Sequence, residues 1–156
     1  MPVSVRAATR DDLDFLADSH RLAHDTIADA RGGALDTQLH KLSEPLTESF
    51  GALLAADAVE LLVGELDGTP VGYAVLQRKP LPDGTELGSI DGMWVHADAR
   101  GVGVGAALMA EITVIATEWG CIGLDSRALP GDRVTKNFFE SFGLKARAIH
   151  VHRALS

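Results

Sequence analysis

Cysteine is almost absent from this chain. Cys121 stands alone, so no intrachain disulfide is available. Tyrosine is as scarce, with Tyr73 the single representative, and a phenol needed for proton transfer has only that source. Six prolines, no low-complexity stretch and no internal repeat leave no candidate linker. The 156 residues therefore read as one domain, 1–156, long enough to bury a core. No apolar run approaches membrane-spanning length. The opening Met1-Pro2-Val3-Ser4-Val5-Arg6 lacks the apolar stretch of a signal peptide. A cytoplasmic protein without membrane contact is the expectation. Basic residues are outnumbered, with 14 Lys and Arg against 22 Asp and Glu for a net charge of −8, so the basic stripe that nucleic acid requires is missing. An acidic surface suits a cationic partner such as an amine, although it is explained more simply as a solvated face.

Against these absences stands one dense motif, Arg100-Gly101-Val102-Gly103-Val104-Gly105. Before it, Ile90-Asp91-Gly92-Met93-Trp94-Val95 has the apolar and β-branched character of a strand. After it, Leu108, Ile112 and Ile115 recur at the spacing of an amphipathic helix. Alternate glycines at a strand-to-helix junction expose backbone N–H groups with no Cβ in the way. The helix adds its unpaired N–H groups and the positive end of its dipole, and Arg100 adds a fixed charge suited to phosphate. The segment reads as a pyrophosphate cradle. A P-loop is excluded, because neither a lysine nor a hydroxyl stands at the helix start. A dinucleotide fingerprint fits loosely through Gly101, Gly103 and Ala106, with Asp125 downstream. Two things count against it: the first glycine comes too late after Val95, and too little chain follows for a doubly wound sheet.

The run from Met93 to Leu108 closely resembles the signature of the GNAT superfamily of acetyltransferases: a strand, a polar turn, Arg/Gln-x-x-Gly-x-Gly/Ala and a helix, met here by Arg100, Gly103 and Gly105. Phe138-Phe139-Glu140-Ser141-Phe142-Gly143-Leu144 is similar to the family's second signature. The resemblance implies an α/β (α+β) fold with a mixed, centrally splayed sheet of six to seven strands flanked by about four helices. It further implies acetyl-CoA as co-substrate, no metal, a small amine or peptide amine as acceptor, and a homodimer as a family-level expectation.

Along the chain, strand Val3 to Ala7 leads into a helix from about Arg10 to Ala30, with Thr9 as N-cap. Ala34 to Glu44 reads as irregular, and a helix follows from Pro45 to about Ala56. Val59 to Leu66 and Val71 to Arg78 form a hairpin around Asp67-Gly68. Strand Glu86 to Val95, the glycine loop and a helix to Trp119 come next. Cys121 to Ser126 is a strand, Asp132 caps a helix reaching Phe142, and Lys145 to Leu155 closes the sheet.

The resemblance places the pantetheine arm along the backbone of Trp94 and Val95, and the pyrophosphate on Arg100, Gly101, Val102, Gly103, Val104, Gly105 and Ala106. An alkyl-ammonium must lose a proton before it attacks. Asp91 is the candidate base, because a carboxylate in a mostly apolar strand needs a reason. Hydrogen bonds near a bulge at Gly92 explain it equally well. The family carries a Glu slightly earlier on this strand, where this chain has Ser89. The family's acid is a Tyr at the position of Phe139, and its cofactor-contacting Asn aligns with Asp132, which doubles as a helix cap. Lys136 is a candidate for the nucleotide phosphates. A thiol of ordinary pKa near ~8.5 leaves without full assistance, and Tyr73 is a candidate replacement acid. These departures keep open a second reading, an acyl-CoA-binding module with little or no transferase activity. Cys121 has no adjacent base and reads as an inert buried thiol. His150 and His152 share a face but lack a third metal ligand, and His20 and His24 are expected to face solvent.

Overall fold

The computed structural model describes residues 2–156. Its spine is a mixed sheet in the order β1 (Val3–Ala7), β2 (Val59–Leu66), β3 (Thr69–Pro80), β4 (Glu86–Val95) and β5 (Leu124–Asp125). The first four strands pair antiparallel, and β5 joins β4 in parallel. Five helices accompany them: α1 (Leu13–Ala28), α2 (Gly33–His40), α3 (Leu46–Ala55), α4 (Val104–Glu118) and α5 (Arg133–Ser141), with short 3-10 turns at Arg10–Asp12 and Ala97–Ala99.

Both faces of the sheet are covered, which is why its strands are apolar at successive positions and not only at alternate ones. Leu62, Ala74, Leu76 and Ile90 pack against Val104, Leu108, Ile112 and Phe139 on the face of α4 and α5. Leu61, Tyr73 and Val75 point the other way, onto Leu16 of α1 and Leu46 and Phe50 of α3. Each fully buried Leu or Ile contributes about 1.5–3 kcal/mol. Val104 comes so close to the sheet that a Cβ on Gly64 would lie 2.7 Å from its Cγ1, so that glycine is what lets α4 settle. The β2–β3 turn has Asp67 at φ 53° and Gly68 at φ 80°, the two left-handed residues of a type I′ turn. At the start of α1, Asp12 accepts from Thr9 N–H at 2.8 Å and from Arg6 at 2.8 and 2.9 Å.

The sheet is splayed. Only Gly88 and Ser89 of β4 pair with β5, at Leu124 and Asp125. From Ile90 to Val95 the β5-side edge of β4 has no strand beside it. At the same place β3 pairs Val75 with Gly92 and Leu76 with Ile90. Asp91 is thus the extra residue of a β-bulge.

The structure departs from the sequence reading in four ways. Among the described residues the sheet has five strands, not six or seven, because no regular element follows Ser141; the alternating segment 145–155 lacks a paired edge, and alternation alone makes no ladder. The strand expected over Cys121 to Ser126 contracts to Leu124–Asp125. Residues expected to be irregular contain α2, started by Gly32 at φ 80°. The four-residue spacing of Val134, Phe138 and Phe142 predicts an apolar stripe on α5, yet Val134 is 82% exposed and the residue buried there is Phe139.

Candidate functional site

The open edge of β4 runs directly into the glycine loop. His96 N–H donates to Val71 of β3 at 2.7 Å. By strand alternation the backbone of Trp94 faces β3 as well, while that of Met93 and Val95 faces the open edge. Arg100 agrees with that direction, since its Nε donates to the Val95 carbonyl at 3.0 Å. The Arg100 guanidinium therefore braces the loop against the strand it follows, and its remaining N–H groups stay at the surface.

Gly101 and Gly103 adopt φ 82° and 97°, and a Cβ on either would meet nothing within 4 Å. Their requirement is conformational, because L side chains avoid this region. Gly103 is the N-cap of α4, and no side chain caps that end. The helix ladder is joined by Ala107 N–H to the Gly103 carbonyl at 3.0 Å, so the preceding N–H groups, through Ala106, have no intrahelical partner. Val102 is 45% exposed beside them, whereas the Val104 side chain lies in the core and leaves only its backbone to the site. Gly105 is a glycine for a different reason. A Cβ there would lie 3.0 Å from Cε1 of Phe138, so the start of α4 and the middle of α5 meet at this point.

The second signature is mostly structural. Asp132 caps α5, accepting from Thr135 N–H at 3.1 Å and from its hydroxyl at 2.6 Å. Lys136 is exposed and faces Glu140 at 3.6 Å. Phe139 is buried in the α4–α5 core.

Asp91 is fixed from two sides. Ser89 Oγ donates to its Oδ1 at 2.6 Å, and Lys79 Nζ lies 3.3 Å from the same atom. The position of the family's Glu is thus taken by a hydroxyl that holds the neighbouring carboxylate. Around this group stand charges contributed by α2 and the segment after β5. Asp36 bridges to Arg127 at 3.5 Å and to His40 at 3.7 Å. Burial and Arg127 hold the His40 imidazole below its ordinary value, against the opposing pull of Asp36 and Asp91. Sequence reasoning missed Lys79, His40 and Arg127, since α2 was not foreseen and the three lie on separate elements.

On the α1–α3 face, Trp94 packs against the core, stacks edge-on with His96 at 4.5 Å, and buries an indole N–H that has no partner. His20 corrects the sequence reading. It is 5% exposed, wedged between α1 and the sheet. Leu42 N–H donates to its Nε2 at 3.0 Å, which makes Nε2 the acceptor and leaves Nδ1–H to donate to the Tyr73 hydroxyl at 3.1 Å. Burial pulls the His20 pKa down to about 4 and pushes the Tyr73 phenol above its ordinary range. Tyr73 is 2% exposed, sealed in that core. Cys121 is partly buried, and burial raises its thiol.

Residues 26–144 match the acetyltransferase (GNAT) family. The chain belongs to that family. Aminoglycoside N(6′)-acetyltransferase type 1 of Stenotrophomonas maltophilia is 33% identical to this GNAT chain over 98 residues, 59% of the chain and 60% of that protein. The match therefore spans about three-fifths of that relative's length. Among solved structures, ribosomal-protein-alanine N-acetyltransferase from Brucella melitensis biovar Abortus 2308 superposes with a TM-score of 0.72 at 22% identity, covering 99% of this chain and 100% of that one. AAC(6′)-Iy in complex with the bisubstrate analogue CoA-S-monomethyl-acetylneamine superposes with a TM-score of 0.75 at 16% identity, covering 99% of each chain. These two likenesses establish the fold shared with other GNAT proteins. Among the described residues no helix is long and apolar enough to cross a membrane.

Proposed function

We propose that this GNAT protein is an acetyl-CoA-dependent N-acetyltransferase that moves acetyl directly to a primary amine of a small molecule or peptide. One observation carries the reading: the unpaired edge of β4 leads without interruption into the uncapped N-terminus of α4. An extended amide-bearing arm ending in a pyrophosphate matches that sequence of donors, first strand-like and then anion-binding. The aminoglycoside and bisubstrate names among its relatives support an amine acceptor.

In this reading Met93 and Val95 offer backbone groups to the arm, and an N–H of this strand polarises the thioester oxygen. Trp94 stands between them and borders the acceptor side. Gly101, Val102, Gly103, Val104, Gly105 and Ala106 present N–H groups to the pyrophosphate, and the free arm of Arg100 neutralises its charge. Asp132, Lys136 and Phe139 act behind them, where α5 supports the start of α4. Acetyl-CoA supplies, when bound, an activated acetyl thioester with a thiolate leaving group. Asp91 takes the proton from the incoming ammonium, held in register by Ser89 and Lys79. A small cationic acceptor is drawn by the acidic surplus of the chain.

A second reading, acyl-CoA binding with little or no transfer, rests on one specific observation: Phe139, at the position of the family's acid, is buried and carries no proton. Calorimetry with acetyl-CoA, followed by an amine panel, separates the two. Micromolar binding that is lost in Gly103→Val and weakened in Arg100→Ala, together with turnover, supports the transferase. Binding without turnover of any amine supports the second reading. No binding by the wild-type chain overturns both.

A further inference from the structure

The acidic surplus of this chain is not uniform, and where β4 parts from β5 the charges balance. Asp91 of the bulge is met by Lys79, and Asp36 of α2 is met by Arg127 and His40. The His40 imidazole senses both pairs, Arg127 and Asp36 on one side, Asp91 and Lys79 on the other. Burial holds it below its ordinary value, so at neutral pH it is mostly uncharged. Two acids thus face two bases in a chain of net charge −8. Strand direction explains the meeting. β4 and β5 are parallel and pair through Ser89 and Asp125. Two residues further along stand Asp91 on one side of the splay and Arg127 on the other.

The bases here are engaged differently from those that brace the fold. Arg6 and Arg78 each turn two N–H groups on a carboxylate, at 2.8 and 2.9 Å and at 3.1 and 2.9 Å. Arg127 approaches Asp36 by its Nε at 3.5 Å, with its side chain 45% exposed. Lys79 is 51% exposed. Contacts this open are worth little by themselves, and they leave the planar fork of Arg127 to a further anion. Two polar atoms on the same side also lack a partner within the protein. Nδ1 of His24 and Oγ1 of Thr37 are both buried and unpaired, and His24 senses the charges of Asp36, Arg127 and His40. Buried polar atoms in that state call for a partner from outside the chain.

We propose that the acceptor is a small amino acid, an amine that also carries a carboxylate. Its ammonium goes to Asp91 and its carboxylate to the Arg127 fork, which Asp36 holds in position. A polycationic amine would set its further ammonium groups against Lys79 and Arg127, where like charges repel. The acidic surplus elsewhere draws the ammonium end, and the two bases receive the other. The inference rests on the acyl-transfer reading and narrows its acceptor.

Calorimetry on the full chain saturated with CoA tests it. Glycine, β-alanine, γ-aminobutyrate and lysine are each set against their carboxamides, with spermidine as a polycation lacking an anion. At least one amino acid is expected to bind about ten- to hundredfold more tightly than its carboxamide. Arg127→Gln brings that ratio to about one, and Arg127→Lys keeps part of it, because the charge remains without the fork. A merely structural role for Arg127 would weaken acid and carboxamide alike. Equal affinities in every pair, no binding of any acid, tighter binding of spermidine, or a preference that survives Arg127→Gln overturns the inference. Acetyl turnover with the same panel reports on the transferase reading separately. Carboxamides or spermidine acetylated as well as the acids leave that reading standing while this inference falls. Acids held through Arg127 but never acetylated do the reverse.

Discussion

Gly103 and Gly105 stand two residues apart in one motif, yet the structure gives them different physical reasons, and a double-mutant cycle separates these. Gly103 sits at φ 97° with open space around it. An alanine there costs about 1–2 kcal/mol of backbone strain and is indifferent to its neighbours. Gly105 lies inside the first turn of α4, and its Cβ would meet Phe138 at 3.0 Å to Cε1 and 3.2 Å to Cζ. Overpacking of this kind costs about 1–3 kcal/mol, while replacing glycine by alanine in a helix returns up to about 1 kcal/mol. The net loss for Gly105→Ala is therefore about 0–2 kcal/mol. Phe138→Leu removes the ring edge that the new methyl would strike. In that background Gly105→Ala is expected to become neutral or stabilising, a coupling of about 1–2 kcal/mol, whereas Gly103→Ala keeps its full cost with a coupling below about 0.5 kcal/mol. Unfolding in urea, analysed by linear extrapolation, measures all six proteins. An equal cost of Gly105→Ala beside Phe138 and beside Leu would refute the packing argument and leave the α4–α5 contact without energetic meaning.

Other expectations follow from the same geometry. Because burial lowers the His20 pKa to about 4 from 6.5, the unfolded chain binds its proton first, and stability falls as the pH drops from about 6.5 toward 4. The difference amounts to roughly 3 kcal/mol. His20→Gln should flatten that part of the stability–pH curve measured by denaturant titration, and an unchanged slope would show that His20 is not its source. Asp12 behaves oppositely, since the Arg6 guanidinium and the Thr9 donors hold its carboxyl below the usual range. Its contribution is complete above the unfolded pKa near ~3.9 and is lost as the pH falls through the folded value. With Arg6 partly screened by solvent, Asp12→Asn should cost about 1–2 kcal/mol at neutral pH and nothing in strong acid. If Asp91 is the base, Asp91→Asn lowers kcat by about 10²–10⁴-fold while the affinity for acetyl-CoA measured by calorimetry is kept; an unchanged kcat would return Asp91 to the role of a bulge residue.

The elements legible in the sequence were those whose signal is local. The Asp67-Gly68 hairpin, the strand over Glu86–Val95 and the helix after the glycines each follow from backbone preference and apolar period within a short window. The glycine loop was legible for the same reason, because an uncapped helix start with left-handed glycines before it is a property of consecutive residues. Asp132 as a cap and Asp91 at a bulge were equally near the surface of the sequence, although the extra residue proved to be Asp91 itself and not Gly92.

What only the tertiary structure decided involves groups far apart in the chain. The motif's third glycine is required by Phe138, thirty-three positions on, and no local rule contains that contact. His20 read as a solvent residue together with His24, four positions on; it is buried because Tyr73 and the Leu42 amide give both ring nitrogens a partner, which lets a polar side chain enter a core. Lys79 reaches Asp91 from the neighbouring strand, and His40 and Arg127 meet at Asp36 only after α2 and the chain beyond β5 have come together. The alternation of residues 145–155 states correctly that this segment can form a strand. It cannot state whether an edge is there to receive one, because a strand's hydrogen bonds belong to its neighbour as much as to itself.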